Sequence, residues 1–302
     1  MDILILGGAG QVGTELQVPA LWDETVRLHA PSRTELDITD GAAIDAALAE
    51  RPYAAVVNTA AYTAVDKAES EIAAAWALNA VAPALLATAT AKAGIPLVHV
   101  STDYVFDGDG VGACTPETPV NPRSVYGASK AAGEMAVRAA NPRHAIIRTA
   151  WVVSPHRGNF VKTMLRLSAE RDRLSVVDDQ HGNPTSAGDL AAGLAVIAQA
   201  LARDPGAPTG THHFVNAGAT TWCGFARGII AAAARRGGRD IPVEAIPTSA
   251  FPTPARRPAN SQLSTQSLRE AYGLTPRPWP EALEAILDRL IGPEQTAKET
   301  RA

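Results

Sequence analysis

The chain contains 302 residues, 46% of them hydrophobic, and carries a formal net charge of −4. This length can bury one large core or two unequal ones, and the scattered Lys and Arg residues form no basic stripe, so we expect no nucleic-acid partner. The two cysteines lack the spacing of a zinc site or redox motif, which fits a reducing, cytoplasmic setting. The N-terminal apolar run is too short for a signal peptide, and we expect no segment of membrane-spanning length, so the sequence predicts a soluble protein without a membrane partner.

Short apolar runs alternate with longer segments of helical period in the first half of the chain. Enough residues separate each run from the next for a crossover helix. This rhythm predicts an α/β fold with a Rossmann-type doubly wound parallel sheet. The predicted strands of this sheet are residues 3–6, 26–29, 54–57, 95–100 and 145–147.

The glycine-rich string GGAGQVG follows the first predicted strand and precedes a helix predicted to begin near Gln11. Gly8, Gly10 and Gly13 fit the spacing G-x-G-x-x-G, while Gly7, Gly10 and Gly13 fit G-x-x-G-x-x-G. Both spacings describe a tight turn where a dinucleotide pyrophosphate can approach a backbone that lacks Cβ groups. Its place between strand and helix favours a cofactor loop over a merely tight turn.

The second predicted strand is followed by APSRTELD, where a NAD-selective site would carry an acidic residue for the ribose hydroxyls. Ser32 and Arg33 can instead accept a 2′-phosphate, which favours NADPH; a solvated Arg33 is the alternative. Asp37 is expected in the loop beside the adenine.

NTAAYTAVDKAE follows the third predicted strand. Ala60 and Ala61 are small enough for a cofactor to lie against the backbone, and Thr63 can hydrogen-bond it. Asp66 and Glu69 are expected only to begin the next helix. Residues 72–93, rich in Ala and Leu and followed by Gly94 and then a proline, predict one long helix.

The fourth predicted strand ends in Ser101, Thr102 and Asp103. Polar side chains at the carboxyl end of a buried parallel strand usually face a ligand crevice, although Ser101 and Thr102 could simply satisfy the loop backbone. VYGASKAAGE then places Tyr126 and Lys130 on one face of a predicted helix. An ammonium favours the phenolate and lets a tyrosine exchange a proton with a carbonyl. Thr102, Tyr126 and Lys130 therefore predict a triad for reducing a ketone with a nicotinamide cofactor.

The chain divides near residue 150. Beyond it, the alternation of apolar runs with helical segments becomes less regular, and proline becomes frequent. We expect a NAD(P)-binding Rossmann domain over residues 1–150, to which residues about 180–220 return, and a smaller C-terminal α/β substrate-binding lobe formed mainly by residues 151–302. Predicted helices cover 160–168 and 187–201, and predicted strands cover 174–177 and 212–215. The tail from Gly292 onward is expected to fray.

Several strings together resemble the dTDP-4-dehydrorhamnose reductase family of the extended short-chain dehydrogenase/reductase superfamily. They are the glycine loop, NTAAYTAVDKAE, STDYVFDG, YGASK, RTAWVV, VVDDQHGNPTSAGDLA and RRPANSQLST, and they span most of the chain. STDYVFDG together with VVDDQHGNPT is far more specific than the superfamily motifs. The resemblance implies NADPH-dependent reduction of the C4 keto group of dTDP-4-dehydro-L-rhamnose to give dTDP-L-rhamnose.

The resemblance also implies roles for individual residues. Tyr126 would donate the proton, Lys130 would lower its pKa and bind the nicotinamide ribose, and Thr102 would tune the proton transfer. An indole face suits a sugar ring or base, although Trp151 could be a core residue, and Arg257 could be a surface charge. Implied cofactor contacts are Gly7, Gly10, Gln11, Val12, Gly13, Asp37, Ile38, Ala60, Ala61, Tyr62, Thr63 and Val100. Implied contacts of the nucleotide sugar are Thr102, Asp103, Trp151, Asn159, Arg257 and Asn260.

The seven histidines show no metal-ligand pattern, and the sequence assigns no metal site. Some members of the family are homodimers with Mg²⁺ at the interface, for which Glu15 and Asp189 are the candidate ligands. NADH in place of NADPH stays open. Two other functions also stay open: another nucleotide-sugar reductase or epimerase of the superfamily, and a non-catalytic cofactor-binding regulatory subunit, against which the complete triad argues.

Overall fold

The computed structural model describes residues 1–294. The strands are β1 (Asp2–Leu6), β2 (Arg27–His29), β3 (Tyr53–Asn58), β4 (Leu97–Thr102), β5 (His144–Thr149), β6 (Val152–Val153), β7 (Leu174–Val177), β8 (His181–Gly182), β9 (Thr185–Ser186), β10 (Gly210–His213), β11 (Thr220–Thr221), β12 (Val243–Ile246) and β13 (Asn260–Ser261). The helices are α1 (Gln11–Leu16), α2 (Gly41–Glu50), α3 (Val65–Ala68), α4 (Ile72–Trp76), α5 (Ala82–Lys92), α6 (Val125–Ala140), α7 (Phe160–Glu170), α8 (Ala187–Arg203), α9 (Trp222–Ala234), α10 (Gln266–Tyr272) and α11 (Trp279–Ile291). Single 3₁₀ turns cover Pro19–Leu21, Asp103–Val105 and Thr248–Ala250.

Six strands form a parallel sheet in the order β2–β1–β3–β4–β5–β10. The predicted doubly wound sheet is confirmed, and its predicted strands lie within two residues of the observed bounds. The main differences are at β4 and β5, which run on through polar residues. Ser101 and Thr102 belong to β4, and Arg148 and Thr149 belong to β5, because their backbones continue the ladder.

Two apolar layers enclose the sheet, because successive strand residues point to opposite faces. Along β1, Ile3 and Ile5 join a core cluster with α8, whereas Leu4 and Leu6 join a second cluster with α2 and α5. Burial on both faces explains why these strands are continuously apolar rather than alternating.

The predicted helix over 72–93 is interrupted by a π turn at Ala77–Val81, between α4 and α5. By length and composition alone, the run Ile72–Lys92 could cross a membrane, which corrects the expectation that no segment approaches that length. Here it packs against α2 and α6 as part of the helix layer over the sheet. Packed core helices of soluble proteins can be equally long and apolar, so length and composition do not indicate a membrane span here.

A second hydrophobic core lies among α7, α9 and α11 and the parallel pair β7–β12. Short strands link it to the rest of the molecule: β8 pairs with β11 and β13, and β6 pairs with β9. The chain returns to the large sheet through α8 and β10. The domain boundaries themselves stay a prediction. Most of the tail predicted to fray lies outside the described residues.

At the π turn between α4 and α5, the backbone lies unusually close to α6. A Cβ on Gly133 would lie 2.1 Å from the carbonyl oxygen of Asn79. A backbone atom cannot yield as a flexible side chain can, so only glycine fits this contact without a shift of α6.

Gly133→Ala should therefore destabilise the protein, even though alanine is the better helix former. We expect a loss of about 1–3 kcal/mol in the free energy of unfolding, as for other overpacked interiors, measured by denaturant titration. Gly110→Ala is the control, because a Cβ there meets nothing within 4 Å. Equal stability of the two variants would contradict the close contact.

Candidate active site

A crevice is expected between β1 and β3, where the order of the sheet reverses. The glycine loop leaves β1 at this point, and the segment after β3 lies against it. The Thr59 hydroxyl donates to Leu6 O at 2.8 Å, and the Thr59 amide donates to the same oxygen at 3.0 Å. The carboxyl ends of the two strands are therefore fixed together at one edge of the sheet.

The glycine loop forms a cradle in which side chains have no room. Gly7 has φ +82°, and a Cβ there would lie 2.7 Å from Ala60 N. A Cβ on Gly13 would lie 2.1 Å from Gly7 O, so α1 begins directly against the turn. Gln17 donates to Gly8 O at 2.8 Å and holds the loop in this shape. A tight turn of glycines, which have no Cβ atoms, is typical of loops that bind the pyrophosphate of a dinucleotide.

The residues predicted to contact the ribose and adenine follow β2 and β3. Arg33 is exposed, as a 2′-phosphate ligand would need to be. Asp37 accepts the amide and hydroxyl of Thr39 at 2.9 and 2.7 Å, and these bonds lower its pKa. The Ile38 side chain lies in the core, so it is not free to contact a cofactor, and a contact through its backbone stays a prediction.

Asn79 in the π turn holds the segment 60–63, a role that the sequence analysis did not predict. Its side chain accepts the Tyr62 amide at 2.8 Å and donates to Tyr62 O at 3.0 Å. It also donates to the Ser129 hydroxyl at 3.1 Å. One buried amide thus connects the predicted cofactor segment to α6, beside Lys130.

Thr102 and Tyr126 meet at the end of β4, as the sequence predicts. Both are buried, with 5% and 9% exposure. Burial raises the pKa of the Tyr126 phenol, a hydrogen bond with Thr102 opposes this rise, and the Asp103 charge adds to it. The phenol is therefore held in its protonated form, which is the form that can donate a proton.

Lys130 lies on the same face of α6 as Tyr126, but its amine is directed at β4. Its Nζ donates to Val100 O at 2.7 Å and lies 3.4 Å from His99 Nε2. Burial lowers the pKa of Lys130 to about 8, while the charge of Glu134 raises it. The predicted lowering of the Tyr126 pKa by Lys130 is not what this arrangement produces, because burial dominates at the phenol.

The Thr102 hydroxyl has a single hydrogen, and it is directed at Asp103. Thr102 Oγ1 donates to Asp103 Oδ1 at 2.9 Å and accepts the Tyr104 amide at 3.3 Å. Burial raises the pKa of Asp103 to about 6, opposed by hydrogen bonding to Ser261 and Thr102. The second carboxylate oxygen, Asp103 Oδ2, has no hydrogen-bond partner within residues 1–294.

Three buried polar atoms around this point lack a partner in the described part of the chain: Ser101 Oγ, Thr149 Oγ1 and Asp103 Oδ2. Thr149 lies opposite Thr102 in the register of β4 and β5. Buried polar groups are normally hydrogen-bonded, so the unpaired Asp103 Oδ2 and Thr149 Oγ1, which neighbour Thr102 in the chain and in the sheet, are candidate contacts for a polar ligand. Ser101 alternates with Thr102 along β4 and lies on the other face of the sheet.

Arg257 lies over the same region, anchored by two partners. Its guanidinium donates to Asp66 Oδ2 at 2.7 Å and to the Tyr104 hydroxyl at 3.2 Å. The Tyr104 ring in turn packs edge-on against Tyr126, with centroids 5.5 Å apart. Asp66 thus does more than begin a helix, and Arg257 is a positioned cation rather than a free surface charge.

Trp151 lies in an aromatic stack rather than on an open face. Its ring stacks on Trp222 with centroids 3.7 Å apart. Gly182 also lies against it, since a Cβ there would be 2.6 Å from Trp151 Cε2. Sequence reasoning missed Trp222, and no local signal pairs residues that are so far apart in the chain.

The two asparagines predicted to contact a sugar are engaged with the protein. Asn159 donates to Ser154 O at 2.7 Å and to Gln11 Oε1 at 3.0 Å. Asn260 donates to Gly110 O at 3.0 Å and Gly112 O at 2.7 Å. Both amides hold loops near the crevice, and their contact with a substrate stays a prediction.

The candidate Mg²⁺ ligands are each paired with an arginine. Glu15 accepts Arg289 Nη1 at 2.6 Å, and Asp189 accepts both Arg277 nitrogens at 2.9 Å. Within residues 1–294, no three His, Cys, Asp or Glu side chains cluster in a way that could hold a metal ion. Each carboxylate thus has a guanidinium partner in this chain, and a role of Glu15 and Asp189 in binding Mg²⁺ at an interface stays a prediction.

Comparison with known proteins gives matches along nearly the whole chain. The family model for the RmlD substrate binding domain matches residues 1–291. A dTDP-4-dehydrorhamnose reductase of Streptomyces griseus is 45% identical, over 96% of this chain and 94% of the relative. The crystal structure of a dTDP-4-dehydrorhamnose reductase from Clostridium acetobutylicum has a TM-score of 0.89 at 38% identity, covering 96% of this chain and 99% of that one. A Bacillus anthracis dTDP-4-dehydrorhamnose reductase in complex with NADP also has a TM-score of 0.89, at 33% identity, covering 95% and 99%.

Asp103→Asn should change how stability depends on pH. The carboxyl is 3% exposed, and its pKa rises from 3.8 to about 6, so the native state binds this proton more tightly than the unfolded chain. The native protein therefore loses stability as pH rises through this interval, by on the order of 3 kcal/mol. An amide cannot ionise, so the variant avoids this loss.

Denaturant unfolding at about pH 4 and about pH 7 measures the difference between the variant and the unchanged protein. We expect the variant to gain about 3 kcal/mol relative to the unchanged protein over this interval. Asp107→Asn is the control with opposite sign, because bonds from the Asp109 amide and Asn121 lower the Asp107 pKa. A pH-independent difference for Asp103→Asn would show that Asp103 is not a buried titrating group.

Proposed function

This chain belongs to the RmlD substrate binding domain family, and we propose on that premise that it is an NADPH-dependent oxidoreductase that reduces the C4 keto group of dTDP-4-dehydro-L-rhamnose to give dTDP-L-rhamnose. The observation that carries the proposal is the meeting of a buried, protonated Tyr126 phenol with Thr102 beside the dinucleotide crevice. The named relatives at 38–45% identity support the same reaction.

Reduction of a ketone needs a hydride on one side and a proton on the other. Bound NADPH supplies the hydride. Tyr126 gives its proton to the carbonyl oxygen, and its raised pKa keeps that proton in place until charge develops on the oxygen. Thr102 is the second donor, and its hydrogen must turn from Asp103 toward the substrate.

The glycine loop and the segment 60–63 are the residues that would hold the cofactor. Gly7 and Gly13 let the loop fold tightly against Ala60 and against the start of α1, the turn that a pyrophosphate-binding loop needs, and Arg33 is exposed after β2, where the 2′-phosphate is proposed to lie. The Bacillus anthracis relative was solved with NADP, which supports NADPH over NADH.

The substrate proposal extends to the anchored residues above the triad. Arg257 presents a forked donor that suits a diphosphate, and binding there would compete with Asp66. Asp103 Oδ2 is a free acceptor for a sugar hydroxyl. A homodimer is part of the proposal only by family resemblance, and solution measurement of mass would test it.

Tyr126→Phe should abolish most turnover while keeping cofactor binding. Removing a positioned general acid costs about 10²–10⁴-fold in kcat, whereas the ring still fills its buried site. NADPH oxidation with dTDP-4-dehydrorhamnose measures turnover, and fluorescence titration measures NADPH binding. Tyr272→Phe, remote from the triad, is the control and should keep full activity. Unchanged turnover in Tyr126→Phe would refute the role of the phenol.

Arg33→Ala should weaken NADPH more than NADH, because only NADPH carries the 2′-phosphate. We expect KM for NADPH to rise about tenfold or more with little change for NADH. Arg51→Ala removes an exposed arginine that pairs with Glu50 and serves as the control. Equal changes for both cofactors would refute the assignment of Arg33.

A different nucleotide-sugar enzyme of the superfamily is the second candidate function. Turnover of purified dTDP-4-dehydrorhamnose against other nucleotide 4-keto sugars decides between them. Loss of NADPH absorbance only with another sugar would favour the second candidate.

A further inference from the structure

His99 is a fully buried histidine to which the proposed mechanism assigns no role. It lies on β4 three residues before Thr102, with 0% exposure. Its two ring nitrogens face two different groups: Nδ1 lies 3.1 Å from Asn58 Nδ2, and Nε2 lies 3.4 Å from Lys130 Nζ. The ring therefore connects β3 to the triad lysine.

The orientation of the Asn58 amide follows from the backbone beside it. Asn58 Oδ1 accepts the amide hydrogen of Ala60 at 3.1 Å. The reversed amide would set its NH₂ group against that N–H, two donors facing each other. Asn58 thus presents its NH₂ group to His99 Nδ1, and Nδ1 must accept.

A neutral imidazole carries one N–H, and the nitrogen that accepts cannot also carry it. His99 is neutral, because complete burial, and secondarily the Lys130 charge, hold its pKa well below the ordinary value. We propose that Asn58 fixes His99 as the Nε2–H tautomer, so that His99 is a positioning residue that turns a donor rather than a lone pair toward the Lys130 nitrogen.

A donor at this position disfavours the ammonium form of Lys130 and favours the amine, whose lone pair can accept the ring N–H. The amine still has hydrogens for Val100 O, at 2.7 Å. The other groups that face Lys130 act differently. Glu134 on α6 favours the ammonium, but it is bound by Arg148 and Arg138 at 2.7 and 3.3 Å. Tyr126, also on α6, is protonated and uncharged, and Asn58 on β3 is neutral.

The consequence for catalysis rests on the proposed function. In the proposed function Lys130 binds the nicotinamide ribose, so the protonation state of its amine affects the affinity for the cofactor. A ring N–H facing Lys130 makes that lysine a readier proton donor. His99 therefore acts through Lys130 and touches no reacting atom.

The tautomer can be read directly, without any assay of activity. Two-dimensional ¹⁵N NMR of the full chain with labelled histidine distinguishes Nε2–H from Nδ1–H imidazole, and His99→Phe identifies the signal. We expect a neutral Nε2–H ring across the neutral pH range. An Nδ1–H ring, or a ring that protonates near pH 6–7 as an exposed histidine does, would overturn the proposal.

Two variants test the effect on Lys130, through the pH dependence of NADPH affinity. His99→Phe removes the ring N–H without adding charge and should move the alkaline midpoint of binding upward by about half a unit or more. Asn58→Asp offers an acceptor to Nδ1, should convert the ring to Nδ1–H, and should move the midpoint up by about one unit or more. His144→Gln, a buried histidine bonded to Asn141 O, is the control.

An unmoved midpoint in His99→Phe would overturn the effect on Lys130. An Asn58→Asp protein that keeps the Nε2–H ring would overturn the role of Asn58, even if its added charge moves the midpoint. Should Asn58→Asp fail to fold, the spectrum of the unchanged protein still decides the tautomer. A chain that binds NADPH with these shifts but reduces no dTDP sugar would refute the proposed function and leave this inference standing.

Discussion

The close packing of α6 against the end of β4 is the constraint on which the rest of this site depends. Two glycines let α6 approach its neighbours this closely: a Cβ on Gly127 would lie 2.2 Å from Tyr104 O, just after β4, and a Cβ on Gly133 would lie 2.1 Å from Asn79 O in the π turn. The same approach excludes water from Tyr126 and Lys130. Exclusion of water then sets the charge of both groups, because burial disfavours the charged form of any side chain.

Burial acts in opposite directions on the two residues of the triad helix. It raises the pKa of the phenol and lowers the pKa of the amine to about 8. Both shifts favour the uncharged side chains: the phenol holds its proton more tightly, and the ammonium gives its proton up more readily. Asp103 Oδ2 and Thr149 Oγ1 add polar atoms without a partner, within residues 1–294, next to Thr102 in the chain and in the sheet.

Local sequence patterns predicted what depends on spacing along the chain. The sheet, the glycine loop and the shared face of Tyr126 and Lys130 follow from period and position, and the structure agrees. Contacts between distant residues could not be predicted in this way. The Asn58–His99 pair spans 41 residues, the Asn79–Ser129 pair 50 and the Asp66–Arg257 pair 191. The direction of the Lys130 side chain was also missed, because helical spacing fixes a face but not the partner that the amine selects.

Trp151 has φ 48°, in the left-handed region that a bulky residue rarely adopts. This backbone costs on the order of 1–2 kcal/mol, and stacking of the indole on Trp222 recovers a similar amount. The stacking of the two tryptophans therefore offsets the cost of an unusual backbone conformation just after β5. Truncation of either ring would remove the stacking contact and, with it, the packing that holds this bend in the backbone.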